Sequence, residues 1–172
     1  MEWEGKIGAP QALCAASGRP LRAGETVFGV LVMREGSFAR IDIAAEAWDA
    51  WDKAQALSWW RRVVPEADRK AGRIRLDPQA MARIFADLAE STEPAKIAFR
   101  YVVALCLVRA RKMTMEKVER DDTGTWMILI ERGGIRHRLR DPVLRTEDET
   151  RLTDELLSVA AATETPRTAT DA

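Results

Sequence analysis

The chain has 172 residues, of which 47% are hydrophobic and 31% charged. That is enough to bury a core without staples and too apolar for a disordered polymer. Its 27 basic and 27 acidic residues cancel, which excludes a global field that would draw in nucleic acid or an anionic membrane.

The charge is unevenly placed. Residues 95–145 carry 12 basic and 6 acidic side chains, and residues 146–172 carry 2 basic and 7 acidic. The simplest expectation is that these segments face each other, or that the acidic end screens the basic middle. The two cysteines, Cys14 and Cys106, are far apart. They form no disulfide framework and fit a reducing, cytoplasmic setting. The acidic start Met1-Glu2-Trp3-Glu4 does not read as a signal peptide. The longest apolar run, Ile97 to Val108 with Arg100 inside it, falls short of the about 20 residues that span a bilayer. No membrane association is expected.

In chain order, Ser17-Gly18-Arg19-Pro20 is turn chemistry. Thr26–Met33 is apolar and β-branched, Ser37–Ile43 alternates, and the short Arg34-Glu35-Gly36 link predicts a hairpin. Residues 44–54 are alanine-rich, with acids early and Lys53 late, and predict a helix with Trp48 and Trp51 on one face. Leu57–Val64 is compact and apolar, and residues 65–75 form a polar connection.

Asp77-Pro78 opens a second helix as N-cap and first helical residue, with Met81, Ile84, Phe85 and Leu88 at helical spacing. Residues 95–113 predict a central helix, apolar almost all round. Three strands follow at residues 114–120, 125–132 and 135–140, joined at Asp121-Asp122-Thr123-Gly124 and Gly133-Gly134. In the third strand Ile135, His137 and Leu139 alternate with Arg136, Arg138 and Arg140. Thr146-x-x-Glu149 reads as a capping box before a last helix striped with Leu152, Leu156 and Val159. Residues 163–172 are polar and read as a flexible tail.

The N-terminal order of turn, hairpin and helix has a chemical counterpart. A zinc module of this layout needs two cysteine pairs, each with two residues between, one in the turn and one in the first helical turn. Here Cys14-Ala15-Ala16-Ser17-Gly18 resembles the first, with Ser17 in place of a cysteine, and Ala44 and Ala47 before Trp48 stand where the second pair would be. The chain resembles a family of uncharacterised bacterial proteins that begin with such a treble-clef, or zinc-ribbon-like, cysteine module. The resemblance rests on that module, on Trp59-Trp60-Arg61-Arg62-Val63-Val64-Pro65, on Phe99-Arg100-Tyr101-Val102, on Trp126–Ile130 and on Asp141-Pro142, in that order. It covers residues 10 to 160 approximately and brings no established activity. It implies a degenerate module whose ligand positions, Cys14, Ser17, Ala44 and Ala47, hold a single thiolate. One thiolate cannot close a zinc shell, so no metal or other cofactor is expected.

The fold expected is α+β. A degenerate treble-clef-like module (residues 1–65) precedes helices packed with a three-stranded antiparallel meander and a C-terminal helix (residues 66–162) as one unit, and then the tail. Trp59, Trp60, Arg61 and Arg62 could pack as core or anchor a partner. Arg136, Arg138 and Arg140, with Arg109, Arg111 and Lys112, could contact phosphate or form a solvated face. Cys106 and His137 could be imagined as nucleophile and base, but nothing in the sequence brings them together. The function expected first is a non-catalytic protein-interaction module with an unknown protein partner. A nucleic-acid-associated protein using the basic 95–145 region comes second, and an enzyme with an unrecognised site third.

Overall fold

A computed structural model describes residues 13–64 and 75–162. The chain is mixed α+β, with two three-stranded antiparallel sheets and four helices among the described residues. The predicted tail and most of the polar connection after Val64 lie outside the described residues.

The first sheet has the order β2-β1-β3, from β1 (Thr26–Arg34), β2 (Ser37–Ala44) and β3 (Ser58–Val63). The predicted hairpin forms with Arg34 opposite Ser37, and Glu35 and Gly36 both turn through positive φ. From the sequence β3 reads only as a compact apolar segment. It pairs antiparallel with β1, Trp60 opposite Gly29 and Trp59 opposite Val30. The close approach of Trp60 explains Gly29: a Cβ there would sit 2.9 Å from the indole ring.

The helix expected over residues 44–54 is a single turn, α1 (Ala45–Trp48), followed by a 3-10 turn at Lys53–Gln55. Two local bonds explain the break. The Trp51 N–H is shared between the Ala47 and Trp48 carbonyls, which tightens the turn, and the Asp52 carboxylate caps Ala54 N at 3.0 Å. Leu57 N–H then donates to Leu31 O, which leads the chain into β3.

α2 (Pro78–Asp87) starts as expected, with the Asp77 carboxylate accepting from Gln79 N at 2.9 Å and Pro78 in the first turn. α3 (Pro94–Arg109) is the central helix, burying Phe99, Val102, Val103 and Leu107. Arg100, the one charge in its apolar run, lies over the Phe85 ring and donates to Phe85 O near the end of α2. It thereby satisfies one of the carbonyls a helix C-terminus leaves open. Burial lowers its pKa from the ordinary value.

The second sheet has the order β5-β6-β7, from β5 (Met113–Asp121), β6 (Gly124–Glu131) and β7 (Arg136–Arg140). Its inner face sends Met127, Leu129 and Leu139 into the core, while the arginines of β7 face outward, as the alternation predicts. α4 (Thr146–Ala160) buries Leu152, Leu156 and Val159. Its capping box does not form. The Glu149 N–H bonds the Arg145 carbonyl, so Thr146 already lies inside the first turn rather than capping it. A short antiparallel pair, β4 (Arg75–Leu76) with β8 (Ala161–Ala162), and a bond from Asp77 N to Ala160 O join the start of α2 to the end of α4.

The first sheet is covered on both faces. One contributes Leu31, Phe38 and Trp60 to the large core shared with the helices and the second sheet, where Phe38 stacks on Phe99 at 4.0 Å. The other holds a smaller cluster of Cys14, Val30, Val32, Ile41, Ile43 and Trp48 under the N-terminal turn. No helix among the described residues is long and apolar enough to cross a membrane. The basic segment and the acidic one do face each other where α3 packs on α4, but their charges do not pair across that contact among the described residues. Arg136 and Arg138 pair with acids of β5, and Arg151 pairs with Asp148 and Glu155 of its own helix.

Candidate functional site

The four positions compared with metal ligands come from the turn before β1 and from the β2–α1 junction. The turn closes through Gly18 N to Cys14 O and Cys14 N to Arg19 O, both 2.8 Å, with Gly18 at φ 73°. Ala15 N donates to Asp42 O at 2.9 Å, which seats the turn on the end of β2. Cys14 is 1% exposed, and its Sγ accepts from Ala44 N at 3.3 Å. Burial pushes the thiol pKa up, but hydrogen bonds from the Ser17 hydroxyl and from the Ala44, Ser17 and Ala16 N–H groups outweigh it. The net direction is downward, with the Ser17 hydroxyl the largest downward contribution. Ala47 packs into the same small cluster. One thiol, one hydroxyl and two methyl groups do not fit a closed zinc shell. Among the described residues there is no group of three or more His, Cys, Asp or Glu side chains placed to hold a metal.

Arg19 ties this region together. Its guanidinium meets Glu25 before β1, Glu46 of α1 at 2.5 Å, and the Pro20 carbonyl at 2.8 Å. Both carboxylates are held below their usual range by that guanidinium.

Beside the turn lies an aromatic cluster. Trp48 stacks on Phe28 at 4.3 Å and on Trp51 at 5.8 Å, and it meets Trp59 at 5.1 Å. Lys53 Nζ lies 4.9 Å above the Trp48 ring, and the Arg83 guanidinium lies 4.9 Å from Trp59. Trp48 is buried, whereas Phe28, Trp51 and Trp59 stay half-buried at its rim.

The four residues of the Trp-Trp-Arg-Arg block therefore divide by strand alternation. Trp60, 7% exposed, belongs to the large core, and Trp59 faces the aromatic cluster. Arg61 is exposed, but Arg62 is turned inward, its Nη1 2.9 Å from Asp42 Oδ2. Asp42 is fully buried and also has Arg40 Nε 3.4 Å from its Oδ1, beyond good hydrogen-bond geometry. Arg40 Nη1 donates to Val159 O at 3.0 Å, which fastens α4 to β2. Burial, together with the nearby Arg62 charge, brings the Arg40 pKa down to about 10, against a smaller upward pull from Asp42. This two-cation, one-anion triad was missed from the sequence. Its signal was two charges two residues apart in β2, within a strand that alternates.

The arginines of β7 are occupied locally. Arg136 pairs with Glu116 at 2.8 Å. Arg138 pairs with Asp121 at 2.8 Å and lies 3.9 Å over the Trp126 ring. Arg140 donates to Thr123 O at 2.7 Å. Asp121 also accepts from the Thr123 hydroxyl and N–H and from Trp126 Nε1, which hold it well below the usual carboxylate range. Glu116, Lys117, Glu119, Arg136 and Arg138 line a shallow concavity of about 300 Å³ on this sheet. Arg109, Arg111 and Lys112, at the end of α3, are exposed and make no ion pair among the described residues.

Cys106 and His137 are not joined. His137 Nε2 is 2.6 Å from Glu131 Oε1 and meets the Phe85 ring edge-on, while Cys106 packs at the edge of the large core, where burial raises its thiol pKa. Compared with protein-family models, curated proteins and solved structures, the chain matches none.

Proposed function

We propose that this protein is a non-catalytic interaction module built on a metal-free, treble-clef-like N-terminal unit, with a protein partner. The observation that carries this reading is the aromatic cluster at Phe28, Trp48, Trp51 and Trp59, with half-buried rings at its rim and Lys53 and Arg83 against their faces. Rigid, partly desolvated tryptophans beside cations are the residues that carry most binding energy when a partner excludes water from them. The metal-free assignment follows from the donor set at Cys14, Ser17, Ala44 and Ala47.

The test compares wild type with Trp51→Ala in nuclease-treated pull-downs from a bacterial lysate. Trp51 lies outside the sheets, at the half-buried rim of the small core, and circular dichroism checks that the variant is folded. A saturable, nuclease-resistant protein partner that is lost with Trp51→Ala supports the reading. A folded variant that retains the partner removes the cluster from the interface.

A nucleic-acid reading is favoured by one observation, the exposed trio Arg109, Arg111 and Lys112, which makes no ion pair among the described residues. It draws less from β7, whose arginines already have acidic or carbonyl partners. Phosphate contacts release counterions, so binding must weaken steeply with salt. Binding that stays flat as salt rises would remove this alternative.

A further inference from the structure

The second sheet ends at β5, because its order is β5-β6-β7. Among the described residues no backbone hydrogen bond from another element reaches the outer edge of this nine-residue strand. The β2 edge of the first sheet is treated differently. There the Glu155 carboxylate of α4 accepts from Phe38 N, and Arg40 reaches across to Val159 O. An open strand edge is a template for pairing with another chain, and charged side chains or a bulge commonly guard it. On β5 the charges on either side of Val118 alternate in sign, so a second copy in antiparallel register can neutralise them.

We infer that the outer edge of β5 pairs antiparallel with the same edge of a second copy, joining two three-stranded sheets into one of six strands. The occupant follows from the order Glu116-Lys117-Val118-Glu119-Arg120. With a two-fold axis on Val118, Lys117 falls opposite the partner's Glu119 and Glu119 opposite the partner's Lys117. Val118 falls opposite its own copy. Both charged pairs are of opposite sign, and directly opposed unlike charges stabilise an antiparallel ladder while like charges oppose it. Moving the axis to Lys117 or Glu119 sets identical charges against each other, which favours the register centred on Val118.

The side chains are already placed for this array. Lys117 and Glu119 lie on one face of the strand, 2.7 Å apart. Pairing would set them beside the same two residues of the copy, a rectangle of four charges with alternating sign. Val118 is 57% exposed and Met115 41% exposed, and a second strand would cover both. The bulge between Met115 and Lys117 marks where the regular ladder ends. The matched stretch is therefore centred on Lys117–Glu119. This surface is separate from the aromatic cluster, and the inference does not depend on the function proposed above.

The test is sedimentation velocity over a concentration series on the full chain. Four samples are compared: wild type, Lys117→Glu, Glu119→Lys, and an equimolar mixture of the two variants. Wild type is expected to dimerise reversibly. Each variant alone sets like charges opposite each other twice, and its self-association should weaken by at least about tenfold. In the mixture every 117–119 pair between unlike chains is again of opposite sign, so a heterodimer should return. That rescue cannot come from repaired folding, because neither chain changes. Circular dichroism melts confirm that both variants are folded. Wild type that stays monomeric throughout, a dimer that survives Lys117→Glu, or a mixture of folded variants that stays monomeric would each overturn the inference.

Discussion

Replacing Asp42 with Asn is the perturbation whose size the structure fixes best. The side chain is fully buried between two guanidinium groups, with Arg62 Nη1 at 2.9 Å and Arg40 Nε at 3.4 Å. Asparagine keeps the shape and removes the charge, leaving two buried cations without their counter-ion. Removing one partner of a buried ion pair costs about 3–5 kcal/mol, because the remaining charge stays desolvated. At about 2.1 cal/mol/K of unfolding entropy per residue, 172 residues give about 0.36 kcal/mol/K, so the melting temperature should fall by about 8–14 °C. The assay is calorimetric melting, checked by urea unfolding with an unchanged m-value. A second variant separates charge from packing. Arg40→Met, Asp42→Leu and Arg62→Met together remove all three charges, and should cost little or even stabilise the fold, as neutral replacements of buried ionic triads do. A loss below about 1 kcal/mol for Asp42→Asn, or a triple variant as unstable as the single one, would refute the claim that desolvated charge dominates here.

Two further outcomes follow from single positions. Gly29→Ala drives a methyl group to 2.9 Å from the Trp60 ring and 3.2 Å from Arg62 Cδ. Overpacking of this kind costs about 1–3 kcal/mol, visible as a lower urea midpoint, and wild-type stability would show that the indole shifts freely. The two thiols should titrate apart when thiolate absorbance is followed at rising pH. Cys14 should ionise below its ordinary 9.0 and Cys106 above it, with the lower step absent in Cys14→Ser. The sign for stability follows from linkage. Because the folded pKa of Cys14 lies below the unfolded value, its contribution is complete above about pH 9 and is lost as pH falls through the folded pKa. A single step at or above 9.0 would show that the hydrogen bonds to Cys14 do not hold a thiolate.

Much of the fold is legible because local signals agreed with tertiary demand. The Arg34-Glu35-Gly36 turn, the Asp77-Pro78 helix start and the glycine-linked meander each form within about two residues of their expected places. The misses come from burial that one sequence window cannot report. Alternation in Ser37–Ile43 reads as one wet face and one dry face, yet the first sheet is covered on both, so Arg40 and Asp42 point into protein and must satisfy each other there. The same two-sidedness splits Trp59 from Trp60 and Arg61 from Arg62. The predicted helix over residues 44–54 had the right composition. It lost to the stacking of Trp48 on Phe28 and on Trp51 and to the cap at Asp52, neither of which helix propensity weighs. The two-residue β4–β8 pair joins residues more than eighty positions apart and leaves no local pattern.

The four positions compared with metal ligands, Cys14, Ser17, Ala44 and Ala47, fall in the N-terminal turn and at the β2–α1 junction. A zinc ion would cross-link the turn to the start of α1 through four strong bonds. In this chain the same two elements are joined by several weaker ties of different kinds. Cys14 Sγ accepts from Ala44 N, Ala15 N donates to Asp42 O, and Arg19 bridges Glu25 and Glu46. Asp42 belongs to both systems. Its carbonyl receives the turn on one side of the strand, and its carboxylate anchors the buried arginines that fasten β3 and α4. Loss of the metal on this reading therefore need not loosen the unit. On that reading the cross-link lies in the β2 backbone rather than in one ion, and Asp42 is one residue that couples the N-terminal turn to the large core.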